Sequence, residues 1–183
     1  MTDIEARTPP TKSSDEAKPH QHRMAQEQGD AYVTALHHMA NTVADSGGEK
    51  VVEDVIVAYA VESAEGMYKM RSGDLVWTEP NGSNAHVEIS VRDGADNRFI
   101  PGLDVTVRIK SSESGDVAFE GNLPMLWHPW LYHYGANVSV PGAGRYDIEV
   151  RVEPPTFHRH DEKNGKRYER PIECLFEEVE FKA

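Results

Sequence analysis

Residues 123–160 read LPMLWHPWLYHYGANVSVPGAGRYDIEVRVEPPTFHRH, and this stretch decides the fold. Within it, residues 146–152 alternate between apolar and charged side chains, which is the pattern of a half-buried strand. Gly144 opens that strand and Pro154 and Pro155 close it, because these residues interrupt regular structure. The same stretch holds four of the nine histidines and two of the three tryptophans. The clearest strand of the chain is therefore flanked by side chains that are able to bind a metal.

The start of this strand indicates which β-fold to expect. Tyr146 follows Gly144 by two positions, as the first apolar side chain of the strand. In immunoglobulin-like sandwiches, a tyrosine near the start of a strand hydrogen-bonds back to the preceding connection and forms a tyrosine corner. The Gly-x-Tyr sequence resembles that feature, so we expect Tyr146 to make the same bond.

From residue 51 onward the chain alternates between strand patterns and turn signals such as Asp93-Gly94 and Asn164-Gly165. No helical pattern intervenes, which favours an antiparallel β-sandwich. The predicted strands cover residues 51–61, 74–78, 85–92, 103–110, 116–123, 137–140, 145–153 and 172–182.

The last predicted strand changes the parity of its apolar residues part-way. Cys174 and Phe176 share one parity, whereas Val179 and Phe181 share the other. A β-bulge near residues 177–178 would return both pairs to one face of the sheet.

The chain before residue 51 is predicted to lie outside the sandwich. Residues 1–23 are polar and contain three prolines, so we expect a disordered tail. Residues 24–50 hold an amphipathic helix and a linker, because apolar residues such as Tyr32 and Leu36 recur at helical spacing. The fold class is thus mainly β: an immunoglobulin-like sandwich over residues 51–183 with one N-terminal helix.

Composition excludes several classes of function. The 183 residues include 19 lysines and arginines against 31 aspartates and glutamates, so the protein is acidic with a formal net charge of −12. Such a surface repels nucleic acid and anionic membranes, and it attracts cations. Cys174 is the single cysteine, which excludes an internal disulfide and a thiolate-rich metal cluster. No apolar run approaches the roughly 18 residues of a membrane span, and residues 1–23 lack the apolar segment of a secretory signal.

Metal-capable side chains occur in three separate segments. On predicted strand 85–92 the apolar residues alternate toward the core, so His86 and Glu88 share the opposite face, about 7 Å apart. Met125 and His133 flank an aromatic loop, and His160 follows the strand that decides the fold. Imidazole suits zinc, copper, iron and nickel, carboxylate suits harder ions, and a thioether favours Cu(I). Each segment alone has an ordinary explanation in packing or surface exposure, but together they predict a metal site.

The order of these motifs resembles the periplasmic Fe2+ transport protein family, which consists of immunoglobulin-like metal-binding proteins associated with high-affinity iron permeases. Over residues 55–182, the motifs that carry the resemblance are His86-x-Glu88, Pro124-Met125, His133-Tyr134-Gly135-Ala136-Asn137-Val138, Gly144-Arg145-Tyr146, Pro154-Pro155 and Arg159-His160.

The resemblance implies a copper-capable site built from His86, Met125, His133 and His160. It implies that Glu88 contributes to an adjacent or shared iron or manganese position. It also implies a homodimer with the site close to the subunit interface, and a periplasmic or other extracytoplasmic location. Without a signal peptide in the sequence, the alternative expectation is a cytoplasmic protein.

One departure from the family pattern concerns the loop between Met125 and His133. This loop is one residue longer than the family pattern and carries Trp127, His128 and Trp130. His128 is therefore a candidate additional ligand, which replaces or supplements one of the others.

These observations predict a metal-binding accessory protein for iron uptake rather than an enzyme. It would bind iron or copper, with manganese or zinc as substitutes, and a membrane iron permease is the expected partner. Two alternatives stay open. One is a metal-free immunoglobulin-like interaction module, and the other is a zinc hydrolase whose histidines leave an open position for an activated water.

Overall fold

The computed structural model describes residues 11–182, so the first ten residues of the predicted tail lie outside it. The helix α1 spans Pro19–His38 and continues as a π-helical turn at Met39–Val43. The strands of the described residues are β1 (Ser46–Val52), β2 (Val55–Ser63), β3 (Met67–Arg71), β4 (Asp74–Thr78), β5 (Ala85–Asp93), β6 (Val105–Ser111), β7 (Val117–Asn122), β8 (Met125–Trp127), β9 (Tyr132–Val138), β10 (Gly144–Val152) and β11 (Ile172–Phe181).

The strands form an immunoglobulin-like antiparallel sandwich, as predicted. One sheet has five strands in the order β1-β2-β5-β9-β8, and the other has four in the order β11-β10-β6-β7. The remaining pair, β3 and β4, forms a separate two-stranded hairpin. No helix among the described residues is long and apolar enough to cross a membrane.

The core lies between the two large sheets and contains the residues that alternation predicted. Every second residue of a strand points to the same face, so each sheet contributes one apolar face to the core. The predicted core residues, all at most 5% exposed, are Val87, Ile89, Val91, Val105, Val107, Tyr146, Ile148, Val150 and Val152.

Two local predictions are confirmed. The hydroxyl of Tyr146 donates a hydrogen bond to the carbonyl oxygen of Gly142 at 2.9 Å, which is the expected tyrosine corner. The register between β10 and β11 shifts after Tyr146, and Glu178 adopts a left-handed backbone with φ of 56°. This shift is the predicted bulge, and it allows the apolar residues on both sides of it to face the core.

Three of the predicted boundaries differ from the structure by more than two residues. Predicted strand 51–61 is two strands, β1 and β2, joined by a turn at Glu53; apolar residues on both sides of the turn made the run look continuous. Predicted strand 137–140 is the end of β9, which begins in the aromatic segment at Tyr132. The helix begins at Pro19 rather than near residue 24, and proline is well suited to the first helical turn.

The described part of the predicted tail is held by polar contacts rather than by a core. The hydroxyl of Ser14 donates a hydrogen bond to Asp161 at 2.7 Å, and Ser14 is 6% exposed. The backbone N–H of Lys12 donates to the side chain of Asn164 at 2.8 Å. Residues 11–18 therefore dock on the loop between β10 and β11, which their polar composition did not reveal.

Candidate metal centre

The candidate centre lies on the outer face of the five-stranded sheet, the face turned away from the four-stranded sheet. Alternate residues of β5 point outward, which places His86 and Glu88 on this face. β9 runs antiparallel beside β5 with Gly135 opposite Glu88, so His133, two residues earlier, points to the same face. Sheet register thus brings together two segments that are far apart in the sequence.

His86, Glu88 and His133 form a close group, here called the triad. Glu88 Oε1 lies 3.2 Å from His133 Nε2 and 3.8 Å from His86 Nε2. One ligand atom from each residue lies within 4.8 Å of the other two. Tetrahedral ligands about 2.1 Å from an ion are about 3.4 Å apart, so these separations fit one shared ion.

The triad is buried, and its polar atoms lack hydrogen bonds. His86 is 0% exposed, while Glu88 and His133 are 3% exposed. Within the described residues, His86 Nε2, Glu88 Oε1 and both ring nitrogens of His133 have no hydrogen-bond partner. A buried polar atom without a partner costs about 1–3 kcal/mol. A cation between the three residues would partner one such atom from each of them.

Asn137 orients the His86 ring. Asn137 Nδ2 donates to the backbone carbonyl of Glu65 at 2.7 Å, so Asn137 Oδ1 is the atom that faces His86 Nδ1, at 2.9 Å. Nδ1 must therefore carry the proton, and the lone pair of Nε2 is left for an ion. A ligand histidine normally has such a partner on its other nitrogen. Asn137 belongs to the motif quoted above, although the sequence did not suggest this role.

Gly135 forms the floor of the triad. A Cβ atom on this glycine would lie 3.0 Å from His86 Nε2, 3.1 Å from His133 Cδ2 and 3.2 Å from Leu126 Cδ1. Any side chain here would therefore enter the space between the two imidazoles. The absence of one leaves room for an ion, and it identifies Leu126 as the apolar neighbour of the triad.

The helix α1 covers the outer face and explains why the triad is buried. Leu36 and Met39 pack in one buried cluster with Ala58 and Ala60 of β2. The Tyr32 hydroxyl donates to the backbone carbonyl of Tyr132 at 2.6 Å and lies 3.0 Å from Ser90 Oγ. A polar pair on an outer face would ordinarily be solvated, so the enclosure of His86 and Glu88 could not be predicted from strand parity.

Burial favours the neutral forms of the triad. Burial and, to a smaller extent, the nearby carboxylates of Glu62 and Glu65 together raise the pKa of the Glu88 carboxyl from 4.5 to about 8. Burial also lowers the pKa of His133 from 6.5 to about 3, with the neighbouring rings of His86 and His128 acting in the same direction. The imidazoles are therefore ready to bind an ion at neutral pH, whereas Glu88 must release a proton when it binds one.

His128 lies next to the triad. Its ring centroid is 6.4 Å from that of His133, and its Nδ1 is buried without a hydrogen-bond partner. Trp130 packs edge-on against His128 with ring centroids 4.8 Å apart. The candidate additional ligand thus neighbours the triad but is not one of the three residues whose ligand atoms converge.

Met125 lies away from the triad. In the pairing of β8 with β9, Met125 is opposite Tyr134 and Leu126 is opposite His133. Paired residues share a face, so Met125 is on the face opposite to the His133 side chain and is 47% exposed. This placement differs from the expected ligand set, because successive residues of a strand point to opposite faces and the pairing puts Leu126, not Met125, across from His133.

His160 is also outside the triad. Its side chain is 94% exposed, and its Nδ1 lies 3.2 Å from a carboxylate oxygen of Glu16. The expected convergence of three histidines is therefore seen for His86 and His133 only. The reason is that the loop after β10 turns toward residues 11–18 rather than toward β9.

Two carboxylates that sequence reasoning missed lie beside the triad. Glu62 is opposite His86 in the pairing of β2 with β5, and Glu65 follows β2. Both carboxylates have an oxygen within 4.8 Å of a His86 ring nitrogen. Alternation along the strand could have shown that Glu62 points away from the core. It could not have shown that this strand pairs with the strand of His86.

Comparison with known proteins identifies the family of the chain. Residues 74–183, more than half of the chain, match the family described as Fe2+ transport protein. The chain belongs to this family. UPF0423 proteins of Brucella abortus and Brucella melitensis are 28% identical over 85 residues, which are 43% of this chain and 46% of theirs. The chain thus spans about half the length of the curated relatives it matches.

Two solved structures share the fold of this family member. FetP from uropathogenic Escherichia coli strain F11 superposes with a TM-score of 0.62 at 22% identity, over 74% of this chain and 93% of FetP. The copper-reconstituted P19 protein from Campylobacter jejuni gives 0.60 at 21% identity, over 74% of this chain and 92% of P19. At these identities the likeness shows the fold.

Proposed function

We propose that this protein binds a transition-metal ion in the triad and serves iron uptake as an accessory that captures and hands over the ion. The observation that carries the proposal is the enclosed group of two imidazoles and one carboxylate whose polar atoms have no other partner. Membership of the Fe2+ transport protein family supports the link to iron. Copper-bound forms of P19 and of a FetP variant support copper as an alternative or assisting ion.

The ligands favour particular ions. Two imidazoles and a carboxylate suit Fe(II), Cu(II) and zinc, with manganese as a weaker substitute. Leu126 rather than a thioether lies beside His133, so the triad lacks the soft ligand that Cu(I) prefers. We therefore propose that the triad prefers iron-group ions over Cu(I), with His128 as its fourth ligand.

We propose binding rather than catalysis as the role of this centre. A hydrolytic zinc site needs a position open to water and substrate. Here α1 covers the outer face and the three ligands are at most 3% exposed, so a bulky substrate has no access.

The proposed partners follow from the family and from the exposed ligands that were predicted. We propose a homodimer in an extracytoplasmic compartment that passes its ion to a membrane iron permease. Met125 and His160 are both exposed, so they are available as ligands at a subunit interface, in line with the prediction that the site lies close to one.

Metal analysis of protein purified without an affinity tag tests the proposal. We expect about one iron or copper ion per chain after loading, and its loss in His86→Ala and His133→Ala. His158→Ala is the matched control, because this exposed histidine follows β10 outside the triad. Equal metal content in all four proteins would contradict the proposal, and a stoichiometric zinc ion would favour the hydrolase alternative.

A further inference from the structure

The hairpin of β3 and β4 is not covered by the sandwich. It occupies the connection between β2 and β5, and within residues 11–182 no other strand pairs with either of its strands. Residues 68–77 are all exposed, so both faces of the hairpin are open to solvent. A two-stranded hairpin by itself is at best marginally stable in water. Contact with another molecule would therefore stabilise it.

The pairing register gives the hairpin one apolar face. Tyr68 is paired with Trp77, and Met70 is paired with Leu75. Paired residues share a face, and so do residues two apart in one strand, so these four side chains lie together. Each of them is 51–67% exposed. Soluble proteins rarely expose several large apolar side chains in one patch unless the patch contacts a partner or a membrane.

The aromatic pair of this face is already held in position. The rings of Tyr68 and Trp77 pack edge-on with centroids 5.1 Å apart. The indole N–H of Trp77 donates a hydrogen bond to Glu79 Oε1 at 2.7 Å. A Cβ atom on Gly66 would lie 2.4 Å from Trp77 Cζ2, so the indole lies directly over this glycine. Binding through these rings would therefore cost little side-chain entropy.

The composition of the hairpin is that of a membrane interface. Tryptophan and tyrosine are enriched there, because each has an apolar body and a polar group that stays hydrated. Along β3, Lys69 and Arg71 alternate with the apolar residues and so lie on the opposite face. Their long side chains can reach lipid phosphates beside the apolar face. Residues 67–78 hold these two cations and one anion, Asp74, in a chain whose formal net charge is −12.

The size of the apolar face favours lipid over a second copy of the chain. A specific protein interface buries about 800 Å² on each partner, from about 20–30 residues a side. The apolar face offers four side chains. Two copies would also repel each other, since each has a formal net charge of −12. A bilayer interface, in contrast, accepts a few apolar side chains and requires no complementary shape.

We propose that the apolar face of the β3–β4 hairpin lies in the headgroup region of a zwitterionic bilayer and holds the protein at the membrane surface. The hairpin leads directly into β5, whose second residue is His86. A protein held in this way keeps the triad close to the membrane. The proposal goes beyond the proposed function and does not depend on metal binding, because it rests on the surface of the hairpin alone.

Sedimentation of the full chain with phosphatidylcholine vesicles tests the proposal. We expect the wild type to bind the vesicles, and Leu75→Ser with Trp77→Ser to weaken binding at least tenfold. Leu175→Ser with Trp127→Ser is the matched control, because it removes the same two residue types at positions that are 40% and 71% exposed outside the hairpin. This control should bind vesicles within twofold of the wild type.

Tryptophan fluorescence reports on the hairpin itself. The chain has three tryptophans, so Trp127→Phe with Trp130→Phe leaves Trp77 as the single emitter. Its emission should shift to shorter wavelength when vesicles are added, and lipids brominated near the headgroup should quench it. Emission that does not change on vesicle binding overturns the proposal, because the indole would then remain in water.

The contrary outcomes are distinct from a failure of the metal proposal. Equal vesicle binding by both double variants overturns the lipid contact, and so does binding that requires an anionic lipid. A dimer that sedimentation velocity detects in the wild type but not in Leu75→Ser with Trp77→Ser, without vesicle binding, would assign the face to a second copy instead. His133→Ala should lose the metal and still bind vesicles as the wild type does. Far-ultraviolet circular dichroism of each variant verifies that the fold is retained.

Discussion

Replacing Glu88 with glutamine should make the metal-free protein more stable at high pH while it weakens ion binding. The carboxyl of Glu88 is 3% exposed, and its pKa is raised from 4.5 to about 8, first by burial and then by the charges of Glu62 and Glu65. Between those two values the folded protein keeps a proton that the unfolded chain has released. Stability contributed by the protonated carboxyl is therefore present below pH 4.5 and is lost as pH rises through about 8.

The magnitude follows from the width of this window. One pKa unit corresponds to about 1.4 kcal/mol, so the shift of Glu88 amounts to roughly 3–5 kcal/mol of stability lost between pH 5 and pH 9. Glutamine has nearly the same shape and does not titrate. Between pH 5 and pH 9 the metal-free wild type should therefore lose several kcal/mol of unfolding free energy that Glu88→Gln keeps.

Urea unfolding at pH 5, 7 and 9 after treatment with a chelator measures this change. Glu177→Gln serves as the matched control, because Glu177 is exposed on the other sheet. The free energy of unfolding of this variant should depend on pH in the same way as that of the wild type. Adding Fe(II) at pH 8 should stabilise the wild type more than Glu88→Gln, since the carboxylate is a ligand only in the wild type. Parallel pH profiles for the wild type and Glu88→Gln would refute the reasoning, because they would mean that Glu88 is ionised in the folded protein.

Three further predictions concern other parts of the structure. Ile148→Ala should lower the free energy of unfolding by about 2–5 kcal/mol in urea, because Ile148 is fully buried; a cost below about 0.5 kcal/mol would contradict the assignment of the core. Leu126→Met should strengthen Cu(I) binding, because it adds a thioether opposite His133, whereas Met125→Leu should leave Cu(I) binding unchanged. Competition with a chelator measures both affinities, and the reverse result would show that Met125 is the ligand. Tyr32→Phe should cost about 1 kcal/mol and speed metal uptake in stopped-flow mixing, because the hydroxyl ties α1 to the sheet; an unchanged uptake rate would mean that α1 does not limit access.

The sequence by itself determined the sandwich and several of its details. Alternation placed residues such as Ile148 in the core, and the change of parity around Glu178 located a bulge. A glycine two residues before Tyr146 predicted a hydrogen bond that the structure contains. These features depend on side chains within one strand or one turn, so the pattern of a short segment is enough to predict them.

Only the tertiary structure decided how the site is assembled. Strand parity put His86 and Glu88 on one face, but their burial depends on a helix about 50 residues away in the sequence. The motif with His133 suggested Met125 as its companion, yet the pairing of β8 with β9 puts Leu126 opposite His133. Burial and register depend on which distant segments pack together, and local periodicity carries no information about that choice.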